Sequence, residues 1–227
     1  MPYLLLIGLL ILMIYGPQLW VNFVLNRYNR QAEDNFPGTG GEFARHLLDR
    51  YQLGEVVVEP TDLGDHYDPL HRAVRLSRDK YEGKTLTAIS VAAHECGHAL
   101  QHAGAEPLFM WRSKLAYLTV WAQRLGSLLL FSAPIMVLVF KVPSVLLVNL
   151  AGAFLMMGFS VVMQLLTLPV EIDASFKKAL PILKSGYLEK SQWGGAEAIL
   201  RAASWTYVAA ALAGLLNFWR WLAILRR

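Results

Sequence analysis

The feature that most constrains this chain is the grouping of its apolar residues into four long blocks separated by two polar stretches. Tyr3 to Leu25 contains no ionisable side chain other than tyrosine. A helix of about 20 apolar residues crosses a hydrocarbon core, so this block reads as a transmembrane signal-anchor over 1–25. A cleavable leader is the competing reading. Against it, no Lys or Arg precedes the run, no small-residue cleavage site follows it, and Arg27 and Arg30 lie just beyond. Leu118 to Phe140 and Val142 to Val170, with Lys141 and Pro143 marking the turn, read as a transmembrane hairpin over 118–170. Arg124, near the start of that hairpin, reads as a side chain that snorkels to the interface. Ala202 to Phe218, with Trp and Tyr at its ends, extends to a C-terminal transmembrane helix over 202–227.

Three crossings separate the N-terminus from the later polar stretch, so both polar stretches fall on one side of the membrane. They hold 16 of the 21 Lys and Arg residues, 11 in 26–114 and 5 in 171–201. The positive-inside rule puts that side in the cytoplasm. Charged residues make up only 17% of the chain, against about 25% in an ordinary soluble domain. A disordered chain is excluded, since it needs high charge and low hydrophobicity. The net charge of +4 forms no basic, aromatic-interleaved stripe, which argues against a nucleic-acid partner. Cys96 stands alone and excludes an intrachain disulfide framework.

The first polar stretch, 26–117, reads as a folded domain. Thr39 and Glu42 form a capping box, opening a helix whose Phe43, Leu47, Leu48 and Tyr51 recur at helical spacing. Residues 55–59 (EVVVE) and 73–76 (AVRL) read as strands, the latter a candidate sheet edge for pairing with an extended peptide. Residues 85–102, TLTAISVAAHECGHALQH, return to a helix.

That helix carries His94-Glu95-Cys96-Gly97-His98. Residues i and i+4 share a helix face, so both imidazoles can reach one metal ion. Glu95 is then placed as general base toward water. Zinc suits neutral imidazole, and a catalytic site takes three protein ligands and leaves a position open. His102 continues the stripe, but i and i+8 lie about 12 Å apart along the axis at 1.5 Å per residue. One ion cannot bind all three, so His102 reads as a residue behind the ligands or a polar face residue. Glu171, which follows the third apolar block in LTLPVEIDAS, is the better third ligand, although it also reads as a charge ending a helix. His66, His71 and Glu106 stay open as rivals. Asp173 fits the hydrogen-bond partner of a ligating His, or simple solvation. His71, in the turn-rich GDHYDPLH stretch, is one of several side chains there that could stabilise an oxyanion, although turn chemistry explains the stretch equally well. Gly97 keeps one helix surface slim, and Cys96 reads as a buried thiol turned away from the His pair.

GDHYDP, VRLS, AAHECGHALQH and LTLPVEIDAS, in that order, resemble the signature blocks of the YugP-like neutral zinc metallopeptidases, bacterial multi-pass membrane proteins. The resemblance covers nearly the whole chain. It implies zinc as cofactor, His94, His98 and Glu171 as its ligands, and Glu95 as the catalytic glutamate. The layout is also similar to that of HtpX-type membrane proteases, which usually carry an Asp four residues after the Glu ligand. Here Ser175 occupies that place and Asp173 lies at two.

The fold class expected is therefore mainly α: multi-pass membrane helices with a small cytoplasmic α+β zincin-like domain, its third ligand supplied by 171–201. The expected function is a zinc endopeptidase of the bacterial inner membrane. It would cleave membrane-associated or unfolded protein at the cytoplasmic face, with the bilayer and membrane proteins as partners. Cleavage inside the bilayer is a weaker reading, because Ala88 to Ala93 is too short an apolar approach to His94. A zinc-stabilised scaffold or adaptor is the non-enzymatic alternative. Glu95 argues against it, since a structural site needs no general base and closes its fourth position.

Overall fold

The computed structural model describes residues 2–29, 36–140 and 143–206. The described residues divide into two compact units, one of 17–29, 36–111 and 168–206, the other of 2–16, 112–140 and 143–167.

The first of these units holds the later polar stretch and all but the end of the earlier one. Its opening helix segment is the end of α1 (Pro2–Asn29), which buries Val21 and Val24 in the core. The capping box then opens α2 (Gly40–Arg50): Glu42 N–H donates to Thr39 Oγ1 at 3.2 Å, and Thr39 N–H donates to Glu42 Oε2 at 2.8 Å. Phe43, Ala44, Leu47 and Leu48 turn inward at helical spacing. Arg45 donates to the carbonyls of Val56 and Leu53, at 2.6 and 3.2 Å, and so fastens the turn that follows α2.

A three-stranded sheet follows, of β1 (Val57–Thr61), β2 (His66–Asp68) and β3 (Ala73–Ser77), in the order β1-β3-β2. β1 runs parallel to β3 and β2 antiparallel to it. The AVRL strand is thus central, not the expected edge, because β2 forms within the turn-rich stretch and pairs along its free side. Arg75 on β3 bonds Glu59 on β1 and Asp68 on β2, a cross-strand ion-pair set that holds the two edges to the centre.

After the short α3 (Arg78–Tyr81), Thr85 caps α4 (Leu86–Ala103) by accepting from Ala88 N–H at 3.1 Å. Nearly every residue of α4 from Leu86 to Ala99 is buried, so it is the central element of this unit. Around it pack α2, the sheet, and the chain from Leu168 on: the end of α6 (Pro143–Ile172), a π-helical turn at Asp173–Ala179, α7 (Leu180–Lys184) and a helical stretch over 193–206. Leu47, Leu48, Val74, Leu76, Leu183, Ile199 and Leu200 fill the core.

The other unit contains 112–140 of α5 (Pro107–Phe140) and 143–167 of α6. Asn149 Nδ2 donates to Ser132 Oγ at 3.2 Å between these helices. Arg124 lies over the Trp121 ring, 5.7 Å from its centroid.

Among the described residues, no helix is long and apolar enough to cross a membrane. This corrects the expected multi-pass class, and with it the crossing count, the shared cytoplasmic face and the inner-membrane location. The chain is mostly helical with one small sheet. The first three apolar blocks do form long helices, but protein core takes up part of the first and third: Val21 and Val24 of α1 and Val170 of α6 are buried in the unit around α4. An apolar run looks the same in sequence whether lipid or protein is to cover it. Most of the fourth block, 207–227, lies outside the described residues.

Removing the cap tests this account of α2. Thr39→Ala is expected to cost about 1 kcal/mol, read as a lower urea midpoint in circular dichroism, whereas Thr39→Ser should leave the midpoint nearly unchanged.

Candidate metal centre

One turn of α4 places the rings of His94 and His98 side by side, with centroids 4.8 Å apart. Both rings are buried, and both Nε2 atoms point at one carboxylate oxygen: Glu171 Oε2 lies 3.2 Å from each. Glu171 is 1% exposed. Donor atoms of these three residues all lie within 4.8 Å of one another, the one group among the described residues that could hold a metal ion.

Glu171 reaches the pair because α6 ends against α4. Pro169 removes a backbone donor two residues earlier, and the chain leaves α6 through the π-helical turn. The backbones approach closely at Gly97, where a Cβ would sit 2.8 Å from the Ala174 carbonyl oxygen. Any side chain at this position would push the Glu171 segment away from the His pair.

The outer nitrogens of both rings are engaged. Ser175 Oγ lies 2.9 Å from His94 Nδ1, and Gln101 Oε1 lies 2.9 Å from His98 Nδ1. Ser175 also donates to the Leu200 carbonyl at 3.2 Å, as does Ser204 at 2.9 Å. Gln101 Nε2 donates to the Val170 carbonyl at 3.0 Å and to Asp173 Oδ2 at 2.9 Å. Lys178 bridges Asp173 and Glu106, at 2.6 and 2.7 Å. Burial raises the Asp173 pKa, but hydrogen bonds from Lys178 and Gln101 and the Lys178 charge outweigh it, holding the carboxyl at about 2.

Glu95 is buried beside the pair. Burial pushes its pKa up, the two imidazoles draw it down, and Glu171 raises it again, so its carboxyl senses all three members of the cluster. Cys96 packs toward the Ala44 carbonyl, and burial drives its thiol pKa up.

The other candidates lie elsewhere. His102 is held by the Tyr67 hydroxyl, 2.8 Å from its Nδ1, and its ring tilts against Phe109. His71, 69% exposed in its side chain, bonds Asp68 at 2.7 Å on the surface. His66 faces the Gly64 carbonyl, and Glu106 pairs with Lys178. Asp173 stands one residue behind His98, through Gln101, and touches neither imidazole directly in these bonds. Gln101 and Ser204 escape a reading by metal-ligand spacing because neither carries a ligand type. Ser175 is visible in sequence only as a departure at the fourth position after Glu171.

Two imidazole nitrogens and one carboxylate oxygen, buried and convergent, with the outer ring nitrogens already hydrogen-bonded, form a donor set of the type that holds zinc. A helix-borne pair of histidines with a glutamate from a distant helix end defines the class: a buried His₂Glu centre compatible with a metal. The family described as "putative neutral zinc metallopeptidase" matches residues 3–226, and the chain belongs to it. A curated relative, the "putative membrane protease YugP" of Bacillus subtilis (strain 168), is 36% identical over 215 residues, covering 92% of each chain. No solved structure matches.

Gly97→Ala places a methyl against backbone that cannot move alone. Overpacking of this kind costs roughly 1–3 kcal/mol, and the displaced Glu171 should weaken metal binding as well. A lowered melting temperature together with weaker zinc retention in chelator competition is the expected result.

Proposed function

We propose that this chain is a zinc-dependent endopeptidase whose substrate is a protein or peptide. The observation that carries the reading is the convergence of His94 Nε2 and His98 Nε2 on Glu171 Oε2, with Glu95 buried alongside. In this reading His94, His98 and Glu171 hold the zinc, and Glu95 is the general base. Zinc, when bound, supplies the Lewis acidity that polarises a peptide carbonyl and acidifies water.

Glu95 takes a proton from the attacking water and passes it to the departing amine, so one carboxylate serves both halves of the hydrolysis. Its burial suits that task, because a desolvated carboxylate binds a proton more readily than an exposed one. Glu171 adds one negative charge to two neutral imidazoles and so leaves a Zn²⁺ site at net +1, which preserves its electrophilic character. Ser175 and Gln101 keep the two rings from rotating away.

A scaffold that binds zinc without cleaving remains the rival, and it gives Glu95 no task. Labelled casein serves as the probe. Glu95→Gln should retain zinc and lose cleavage by about 10²–10⁴-fold; a rate above about a tenth of wild type sinks the role given to Glu95. Glu171→Ala should lose most of its zinc on dialysis against a mild chelator, whereas His71→Ala and Glu106→Ala should not. Full zinc content in Glu171→Ala would return the third ligand to the other candidates.

A further inference from the structure

We propose that Gln101 is a positioning residue: it holds the proton of His98 on Nδ1 and thereby presents the Nε2 lone pair to the metal. The inference rests on the proposed zinc site and assigns a task to a side chain that is not itself a ligand.

A neutral imidazole has two tautomers, and only the one protonated on Nδ1 can bind an ion through Nε2. Nothing in the ring itself enforces that choice. In the absence of an ion the nearby Glu171 carboxylate opposes it, because Oε2 at 3.2 Å would accept a proton carried on Nε2. A counterweight must therefore accept firmly from Nδ1.

Gln101 supplies one, and its orientation is not free. An amide can be turned by half a rotation, exchanging its oxygen and nitrogen. Here the nitrogen end meets two groups that only accept, the Val170 carbonyl at 3.0 Å and the Asp173 carboxylate at 2.9 Å. The turned amide would set its oxygen against both, lose two hydrogen bonds and face a negative charge in a buried site. Unsatisfied buried polar groups cost roughly 1–3 kcal/mol each, so the amide keeps this orientation. Its oxygen then faces His98 Nδ1 at 2.9 Å as an acceptor, and an acceptor there requires the proton on Nδ1.

The chain of dependence runs outward from the ring. Asp173 fixes the amide, and Lys178 fixes Asp173 while also binding Glu106. Val170 and Asp173 flank the ligand Glu171, so the segment that delivers the carboxylate also sets the tautomer of the histidine it joins. His94 depends on a different contact, Ser175 Oγ at 2.9 Å, and provides an internal control.

The test is ¹⁵N correlation spectroscopy of histidine side chains in the metal-free full-length protein, paired with zinc dissociation constants from chelator competition. Wild type should show a protonated Nδ1 on His98. Gln101→Met, close in volume but without an acceptor, should move that proton to Nε2, leave the pattern of His94 unchanged and weaken zinc binding about 10–100-fold. An unprotonated His98 Nδ1 in wild type overturns the proposal even if the variant does not fold. So does a Gln101→Met protein with the proton and the zinc affinity both unchanged, or one in which both histidines change together. Wild type that binds no zinc at all removes the proposed metal site, and the proton position on His98 still decides the role of Gln101.

Discussion

Gly97 has no side chain, and the Ala174 backbone occupies the space where one would begin. This contact fixes the distance between the central helix and the segment, the end of α6 and the π-helical turn after it, that carries Glu171, Asp173 and Ser175. Each of those residues then meets α4: Glu171 reaches both imidazoles, Asp173 the Gln101 amide, and Ser175 the outer nitrogen of His94. Hydrogen bonds of about 3 Å tolerate little drift, so a change of an ångström in this packing would loosen all of them at once. The arrangement behaves as one unit because one backbone contact sets it.

Placing Glu95 and Glu171 in a dry interior is costly, since each carboxylate gives up its water. Two imidazoles and hydrogen bonds offset part of that cost. A divalent cation would offset far more, because a bound ion becomes the largest local charge in such a site. Fold and ion would therefore be coupled: residues from α4 and from the end of α6 meet around charges that favour a cation, and binding one would stabilise the packing that brought them together.

Much of the site could be read from residue types. The His pair follows from helical spacing, and Glu171 from a carboxylate placed where an apolar helix ends. Thr39 and Glu42 announce the start of α2 through local chemistry alone, and the structure follows. What escaped was non-local. His66 to Asp68 looks like turn chemistry because Gly, Asp and Pro surround it, yet it becomes a strand once β3 lies beside it. The apolar blocks give no sign of what will cover them, and Val21, Val24 and Val170 are covered by protein. Gln101 is an ordinary polar residue until Asp173, 72 positions later, turns its amide.

The unit around α4 is discontinuous, made from 17–111 and then from 168–206. Synthesis proceeds in one direction, so the histidines emerge well before the carboxylate that joins them, which lies 73 positions beyond His98. At about 5–20 residues per second that interval is roughly 4–15 s. Closure also waits for Ile199 and Leu200, whose side chains fill the core beneath the π-helical turn. An unfinished chain therefore carries two thirds of the donor set and none of the completed site. A chain that breaks off in this interval would have the histidine pair and Glu95 but not the carboxylate that both imidazoles face.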